Sequence, residues 1–325
     1  MKVILSRKGF DSSYGGYPSI ILPSGKMISF PIPEKKYRNN IKEQIIKYHL
    51  TENELKNILD LFGDQKIKMP SERQELDPKK CIFHLDPSIQ NIDITMKYID
   101  KNKKEKQLKF NEQELGALGQ SGAAAGHLVN NEISPKDLTK DNPALFLFFG
   151  LFRNMDEELN PIGKPFHAIW GYLIAHAAID ISNKPDVQIP VELEKLEPHP
   201  HFINRETYEK RNIIFYGDNC GTFKFDVKHK KYLQLTKIGS DNFTNWKIQN
   251  LWKKMDLNKD KITMTYNNDK IKKQLDKYSD CDEIEFTAAS RGQEFVIKNA
   301  NPQELKKWLK NLGLPPKALD ELGIE

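Results

Sequence analysis

The run Ala144-Leu145-Phe146-Leu147-Phe148-Phe149 constrains this chain more than any other stretch. Six consecutive apolar residues give no face to water, so the run predicts a central strand buried on both sides. The apolar stretch from Ala144 to Phe152 is also the longest in the chain. It falls far short of the ~20 residues needed to cross a bilayer, so no membrane is expected as a partner. Phe166-His167-Ala168-Ile169-Trp170-Gly171-Tyr172-Leu173 reads as the neighbouring strand. A sheet with such a centre requires cover on both faces, and 325 residues supply it.

Around this centre, strand and helix signals mix without regular βαβ alternation. The expected class is therefore α+β, a mixed central sheet with a buried Phe-rich strand flanked by helices. Lys2 to Ser6 reads as a short buried strand, and Ile20–Leu22 with Met27–Phe30 as a hairpin. Thr51-x-x-Glu54 is a capping box opening a helix that Gly63 closes. Asn111-x-x-Glu114 predicts a second helix running through Leu115, Leu118 and Leu128. Its Gly/Ala-rich middle, Gly116 to Gly126, costs helix stability and implies close approach by a backbone or ligand. Lys101 to Lys109 reads as a solvated loop or strand end. Short strands are expected at Ile213–Tyr216, Thr222–Phe225, Tyr232–Leu235, Ile262–Tyr266 and Glu294–Ile297. Asn301-Pro302-x-Glu304 caps a last helix with face Leu305, Trp308, Leu309 and Leu312, ended by Gly313. Residues 1–325 are read as a single domain; a division into lobes 1–183 and 200–325 at the Pro-containing stretch stays open.

The first strand leads into Arg7-Lys8-Gly9-Phe10-Asp11-Ser12-Ser13-Tyr14-Gly15-Gly16. Glycines let backbone N–H groups converge, the Ser12 and Ser13 hydroxyls donate, and Arg7 and Lys8 bring charge for a phosphate. Asp11 adds a general base or an acceptor. The pattern is neither a P-loop nor G-x-G-x-x-G, and a polar surface turn explains it equally well.

Other groups compete. His84 and Asp86, at i and i+2 of a strand end, share a face. Gln120 lies in the Gly/Ala-rich stretch. Arg153 puts a guanidinium after the apolar run, and His167 sits in the next apolar segment, where a satisfied core histidine is the commoner role. His199-Pro200-His201 offers two imidazoles with no third ligand at a recognisable spacing, so no metal is expected. Arg291, Gln293 and Glu294 precede an apolar strand and form a further polar cluster. No G-x-S-x-G, H-E-x-x-H, kinase or deaminase signature occurs. No motif names a cofactor.

Fifty basic against forty-five acidic residues leave a net charge of +5, compatible with nucleic acid without demanding it. Three dispersed cysteines fit neither a disulfide framework nor a zinc site, and a reducing cytoplasm is the expected compartment.

Taken in order, Lys8-Gly9-Phe10-Asp11-Ser12-Ser13-x-Gly15-Gly16-x-Pro18-Ser19, His84-x-Asp86-Pro87, Gly119-Gln120-x-Gly122-Ala123-Ala124-x-x-His127-Leu128, Leu145 to Arg153, His167-x-x-x-Gly171-Tyr172-Leu173, His199-Pro200-His201 and Arg291-Gly292-Gln293-Glu294-Phe295-Val296 resemble one family. It is the nucleotide-modification-associated domain of the third type, found in bacteria and phages. The likeness runs from the first residues to the last helix. Ile20 and Leu151 stand where the family pattern has a proline and an aromatic residue.

The resemblance implies a link to modification of DNA or nucleotides and carries over no assigned reaction. On it rests the expectation of a nucleotide- or DNA-base-modifying enzyme, with a nucleotide or DNA as ligand and other proteins of a modification system as further partners. Asp11, His84, Asp86 and Glu294 are then the acid/base candidates. Lys8, Ser12, Gly15, Gly16 and Arg153 grip phosphate, while Gln120, His167, Arg291 and Gln293 orient the substrate, with Arg7, Ser13, His199 and His201 also on the ligand. The rival expectations are a non-catalytic reader of modified DNA or a nucleotide, and a scaffold that binds neither.

Overall fold

The computed structural model describes residues 2–11, 15–30, 32–34, 67–69, 74–76, 82–84, 86–89, 94–99, 105–110, 116–182, 199–203, 211–253, 261–265, 274–275, 281–288 and 294–324. The Phe-rich run lies at the centre of its largest sheet, as the apolar pattern predicts. That run is part of β11 (Ala144–Met155), flanked by β1 (Lys2–Arg7) and β12 (Pro161–Ala175). β15 (Asn219–Thr222), β19 (Glu294–Ile297) and β17 (Ile262–Met264) extend it to the order β15-β12-β11-β1-β19-β17. β2 (Ser19–Ile21) pairs with the far part of β11 and with β3 (Met27–Ile28). β1 runs parallel to β11, from Lys2 opposite Ala144 to Arg7 opposite Phe149, whereas β12 and β19 are antiparallel to their neighbours. The sheet is therefore mixed.

A second sheet, β10 (Gly116–Ser121), β14 (Asn212–Gly217) and β13 (Ala177–Asp180), packs near one face. Two-stranded pairs complete the set: β16 (Asn245–Gln249) with β18 (Glu283–Thr287), β4 (Ile32–Glu34) with β7 (Ile82–His84), β5 (Ile67–Met69) with β6 (Gln74–Leu76), and β8 (Ile94–Ile99) with β9 (Glu105–Phe110). Among the described residues the helices are α1 (Gly122–Asn130), the single turns α2 (Pro200–Ile203) and α3 (Lys230–Leu233), then α4 (Pro302–Leu312) and α5 (Pro316–Glu321).

Strand alternation divides the core in two. Leu145, Leu147 and Phe149 join Val3, Leu5, Trp246, Trp252 and the α4 side chains Leu305, Trp308, Leu309 and Leu312. Phe146, Phe148 and Phe152 face the other way, toward Ile4, Phe215 and the α1 residues Ala125 and Leu128. α4 starts as its sequence predicts. The Asn301 side chain accepts from the backbone N–H groups of Gln303 and Glu304, Pro302 fills the first turn, and Gly313 at φ 90° closes it.

Two local expectations are corrected. The helix expected from Asn111 does not run through Gly116 to Ser121, which form a strand against β14, and helix begins at Gly122. Pairing satisfies the backbone of a stretch too rich in glycine to hold a helix by itself. Tyr232, expected at the start of a strand, lies in α3, because the Asp226 carboxylate accepts from Lys228 N–H and His229 N–H and turns the chain. Lys106 to Lys109, expected as a loop or a strand end, lie in β9 and pair with β8. The helix expected at Thr51–Gly63 lies outside the described residues, as does most of the Asn183–Pro200 stretch. The central sheet takes strands from both sides of that stretch.

Phe149 joins the two halves of the α4-side core, with ring centroids 5.0 Å from Trp246, 5.5 Å from His167 and 5.9 Å from Phe295. Phe149→Ala should cost about 3–5 kcal/mol in urea unfolding; a loss under about 1 kcal/mol would show that the ring does not organise this core.

Candidate functional site

Alternation along β1 sends Ser6 to the α1 side of the sheet, and the next residue beyond the strand with that orientation is Lys8. Its backbone N–H donates to the Phe149 carbonyl at 2.8 Å, which fixes the direction of the side chain. Lys8 Nζ then donates to Asp86 Oδ2 at 2.7 Å and to the Gly119 carbonyl at 3.3 Å. Asp86 is held from its other oxygen, where Oδ1 accepts the Gly119 N–H at 2.8 Å. Two imidazoles close around the same carboxylate, His199 Nε2 3.5 Å from Oδ1 and His201 Nε2 3.7 Å from Oδ2. The His201 ring lies where a side chain on β10 would otherwise be: a Cβ on Gly119 would sit 2.2 Å from its Cδ2. The close approach expected of the Gly-rich stretch is thus the approach of an imidazole. The ion pair is nearly dry, with side-chain exposures of 8% for Lys8 and 2% for Asp86.

Glu294 stands beside this group. Paired across the sheet with Ser6, its Oε1 accepts from Gln120 Nε2 at 2.5 Å and from Ser6 Oγ at 3.1 Å, and Oε2 accepts from Thr265 Oγ1 at 3.5 Å. Burial pushes its carboxyl up to about 7. The Lys8 charge and the hydrogen bonds from Ser6 and Gln120 pull the other way, and the Asp86 charge adds to the rise. Glu294 therefore feels both members of the ion pair, and the cluster behaves as one electrostatic unit.

The other candidates with described side chains take different positions. Arg7, one position before Lys8, points to the opposite side and pairs with Asp11 at 2.6 Å. On that side lies His167, held neutral first by burial and then by the Arg7 charge. Its Nδ1 accepts from Trp246 Nε1 at 3.0 Å, and Phe149, Phe243 and Trp246 present ring edges to it. His167 is a core histidine in this arrangement. Arg153 Nε donates to the Gly163 carbonyl at 2.8 Å. Gly15 and Gly16 have φ of 79° and 83°, and a Cβ on Gly15 would enter the Phe10 ring at 2.3 Å, so packing as well as turn geometry requires glycine there. The backbone of His84, at the end of β7, pairs with Ile32 of β4. Ser12, Ser13, Arg291 and Gln293 lie outside the described residues.

The structure thus brings together Lys8, Asp86, Gln120, His199, His201 and Glu294 from among the candidates. It adds Ser6 and Asn212, which the sequence does not single out. Asn212 is wholly buried and bonded to His201 on both sides, Oδ1 2.7 Å from Nδ1 and Nδ2 2.8 Å from the carbonyl. An Asn opening a run of apolar strand residues was its one sequence signal. Among the described residues no three His, Cys, Asp or Glu side chains are set to hold a metal ion, and the cation at Asp86 is the Lys8 ammonium. No helix among them is long and apolar enough to cross a membrane.

Fold and site together define a mixed α/β protein with a buried cluster of charged and polar side chains at the carboxyl end of strand β1. The chain belongs to the family described as nucleotide modification associated domain 3, whose model matches residues 2–298 and so spans every member of the cluster. Membership associates it with nucleotide modification. Neither the curated proteins nor the solved structures give a match.

The Glu294 shift has a consequence for stability. Below the ordinary carboxyl value of 4.5 both folded and unfolded chains hold the proton, and no penalty applies. Between 4.5 and about 7 the unfolded chain releases it while the folded chain keeps it, so stability falls as pH rises and levels off above about 7. The loss is on the order of 3 kcal/mol. Glutamine keeps the oxygen that Gln120 and Ser6 address and carries no titrating proton. Glu294→Gln should therefore lack this decline and show a higher Tm than the parent at pH 8. Parallel Tm–pH curves for the two proteins would mean that Glu294 ionises as an ordinary carboxyl.

Proposed function

We propose that this chain modifies a nucleotide or a base within DNA by acid–base chemistry at the Lys8–Asp86–Glu294 cluster. The observation that carries the reading is a wholly buried carboxyl, raised to about 7, within the field of a buried Lys–Asp pair. Stability does not explain such a group. Apolar side chains of similar volume often replace buried ion pairs without loss, and a carboxyl that loses stability on ionising is a cost to the fold. Acid–base catalysis does explain it, since a carboxyl near the working pH can both give and take a proton.

The roles follow from chemistry and position. Glu294 is the proton donor or acceptor, aligned by Ser6 and Gln120. Lys8 balances negative charge beside it, and Asp86 holds Lys8 in place. The phosphate-bearing part of the ligand meets the N-terminal turn, which continues directly from Lys8 through Gly9 and reaches Gly15 and Gly16. Family membership supports the substrate class, a nucleotide free or within DNA.

The test is to express the chain in bacteria and to digest DNA and the nucleotide pool for nucleoside mass spectrometry. The parent should yield a nucleoside of new mass, and Glu294→Gln should lower that yield at least about 100-fold with the fold intact. Equal yields would remove Glu294 from the chemistry. No new nucleoside, together with DNA binding that weakens steeply with salt, would instead make the chain a reader of DNA.

A further inference from the structure

The two histidines around Asp86 are not equivalent, and their hydrogen bonds say how they differ. The backbone N–H of His201 donates to His199 Nδ1 at 3.2 Å. An N–H can only donate, so His199 Nδ1 holds a lone pair and the ring proton is on Nε2, facing Asp86 Oδ1 at 3.5 Å. His199 is therefore neutral, with Nε2 in electrostatic contact with Asp86 rather than hydrogen-bonded to it.

His201 is the reverse. Asn212 Nδ2 donates to the His201 carbonyl at 2.8 Å, and a carbonyl can only accept, which fixes the orientation of the Asn212 amide. Its Oδ1 must then be the atom 2.7 Å from His201 Nδ1, and an amide oxygen can only accept. The His201 proton is on Nδ1. Asn212 itself cannot rotate away, because it is wholly buried and its backbone N–H donates to Ser182 Oγ at 2.7 Å. In the neutral ring the lone pair is then on Nε2, on the side of Asp86 and Lys8, with Asp86 Oδ2 3.7 Å away.

We propose that His201 is the proton acceptor of this site and that Asn212 is the positioning residue that makes it one, by holding the ring proton on Nδ1. An imidazole with Nδ1–H bound to a fixed acceptor gains basicity at Nε2, and the developing imidazolium is stabilised by the Asp86 carboxylate. The step is a single proton transfer: an N–H or O–H of the substrate loses its proton to His201 Nε2, and the electron pair stays on the substrate heteroatom. The substrate class is thus a nucleotide or nucleobase that reacts at an amino, ring N–H or hydroxyl group once deprotonated. His199, with its ring proton on Nε2, takes no part in that transfer. The catalytic role rests on reading the cluster as an active site; the position of the ring proton does not.

Long-range proton–nitrogen spectra of the full chain, labelled with nitrogen-15 histidine and recorded at pH 8, read the tautomers directly, with His201→Gln supplying the assignment. His201 should show Nδ1–H with an unprotonated Nε2, and His199 the opposite pattern. In Asn212→Leu the His201 signal should move toward Nε2–H, and the yield of modified nucleoside should fall about 10- to 100-fold. Nε2–H on His201 in the parent protein overturns the proposal, whether or not the leucine variant folds. An unchanged tautomer in a folded Asn212→Leu overturns the role of Asn212. Absence of any modified nucleoside with the expected tautomers overturns the catalytic role of His201 together with the reading of the site as an enzyme's.

Discussion

The arrangement of the site depends on the dry ion pair between Lys8 and Asp86. A charge taken out of water at this depth must be met by an opposite charge and by hydrogen bonds to its remaining atoms. Lys8 meets that demand through Asp86 and the Gly119 carbonyl, and Asp86 through Lys8 and the Gly119 N–H. Gly119 therefore touches both ions with its own backbone, and it lies in β10 rather than in a helix, where those groups would be turned along the axis. The strand conformation that the Gly-rich stretch adopts is a condition of the ion pair. The lack of a Cβ on Gly119 admits the His201 ring beside the pair.

Glu294 shows what this anchored pair does to its surroundings. Its carboxyl is buried on the edge of a field with both signs in it, Lys8 favouring the anion and Asp86 opposing it. Burial dominates, and the group remains close to the balance between its two forms at neutral pH. A carboxyl in contact with Lys8 alone would be ionised, and one in contact with Asp86 alone would be locked as the acid. Ser6 and Gln120 add donors that fix the direction of Oε1 without forcing either state. The cluster trades stability for a group that changes charge at neutral pH, a trade common where a site must move protons.

Elements set by one short stretch of sequence were legible, and those set by distant partners were not. The Phe-rich centre and its partner strand could be read because an apolar run has no other stable environment, and the α4 start because Asn301, Pro302 and Glu304 are local. The helix expected through Gly116 failed because strand pairing with β14, from about a hundred residues downstream, decides the conformation of Gly116 to Ser121. The site was legible as a set of residue types: six of its members were candidates. Their grouping was not, since Lys8, Asp86, Gln120, His199 and Glu294 come from widely separated segments and nothing in their spacing says that they converge. Asn212 was the least legible, because its one signal, an Asn opening an apolar strand, carries no mark of the imidazole it holds.

The adjacent cations of the first turn illustrate the same limit more sharply. Arg7 and Lys8 look like one basic patch in the sequence, suited to grip a single anion together. A strand points neighbouring side chains in opposite directions, so they serve opposite faces of the sheet. Arg7 pairs with Asp11 and adds its charge to the environment of His167, while Lys8 enters the cluster with Asp86. Each cation has its own carboxylate, so the start of the turn is tied down on both sides of the sheet. A ligand that meets Lys8 must approach from the α1 face, where Glu294, Gln120 and the two histidines already lie. The start of the turn is then less a cradle with two free charges than a segment fixed by one ion pair on each face.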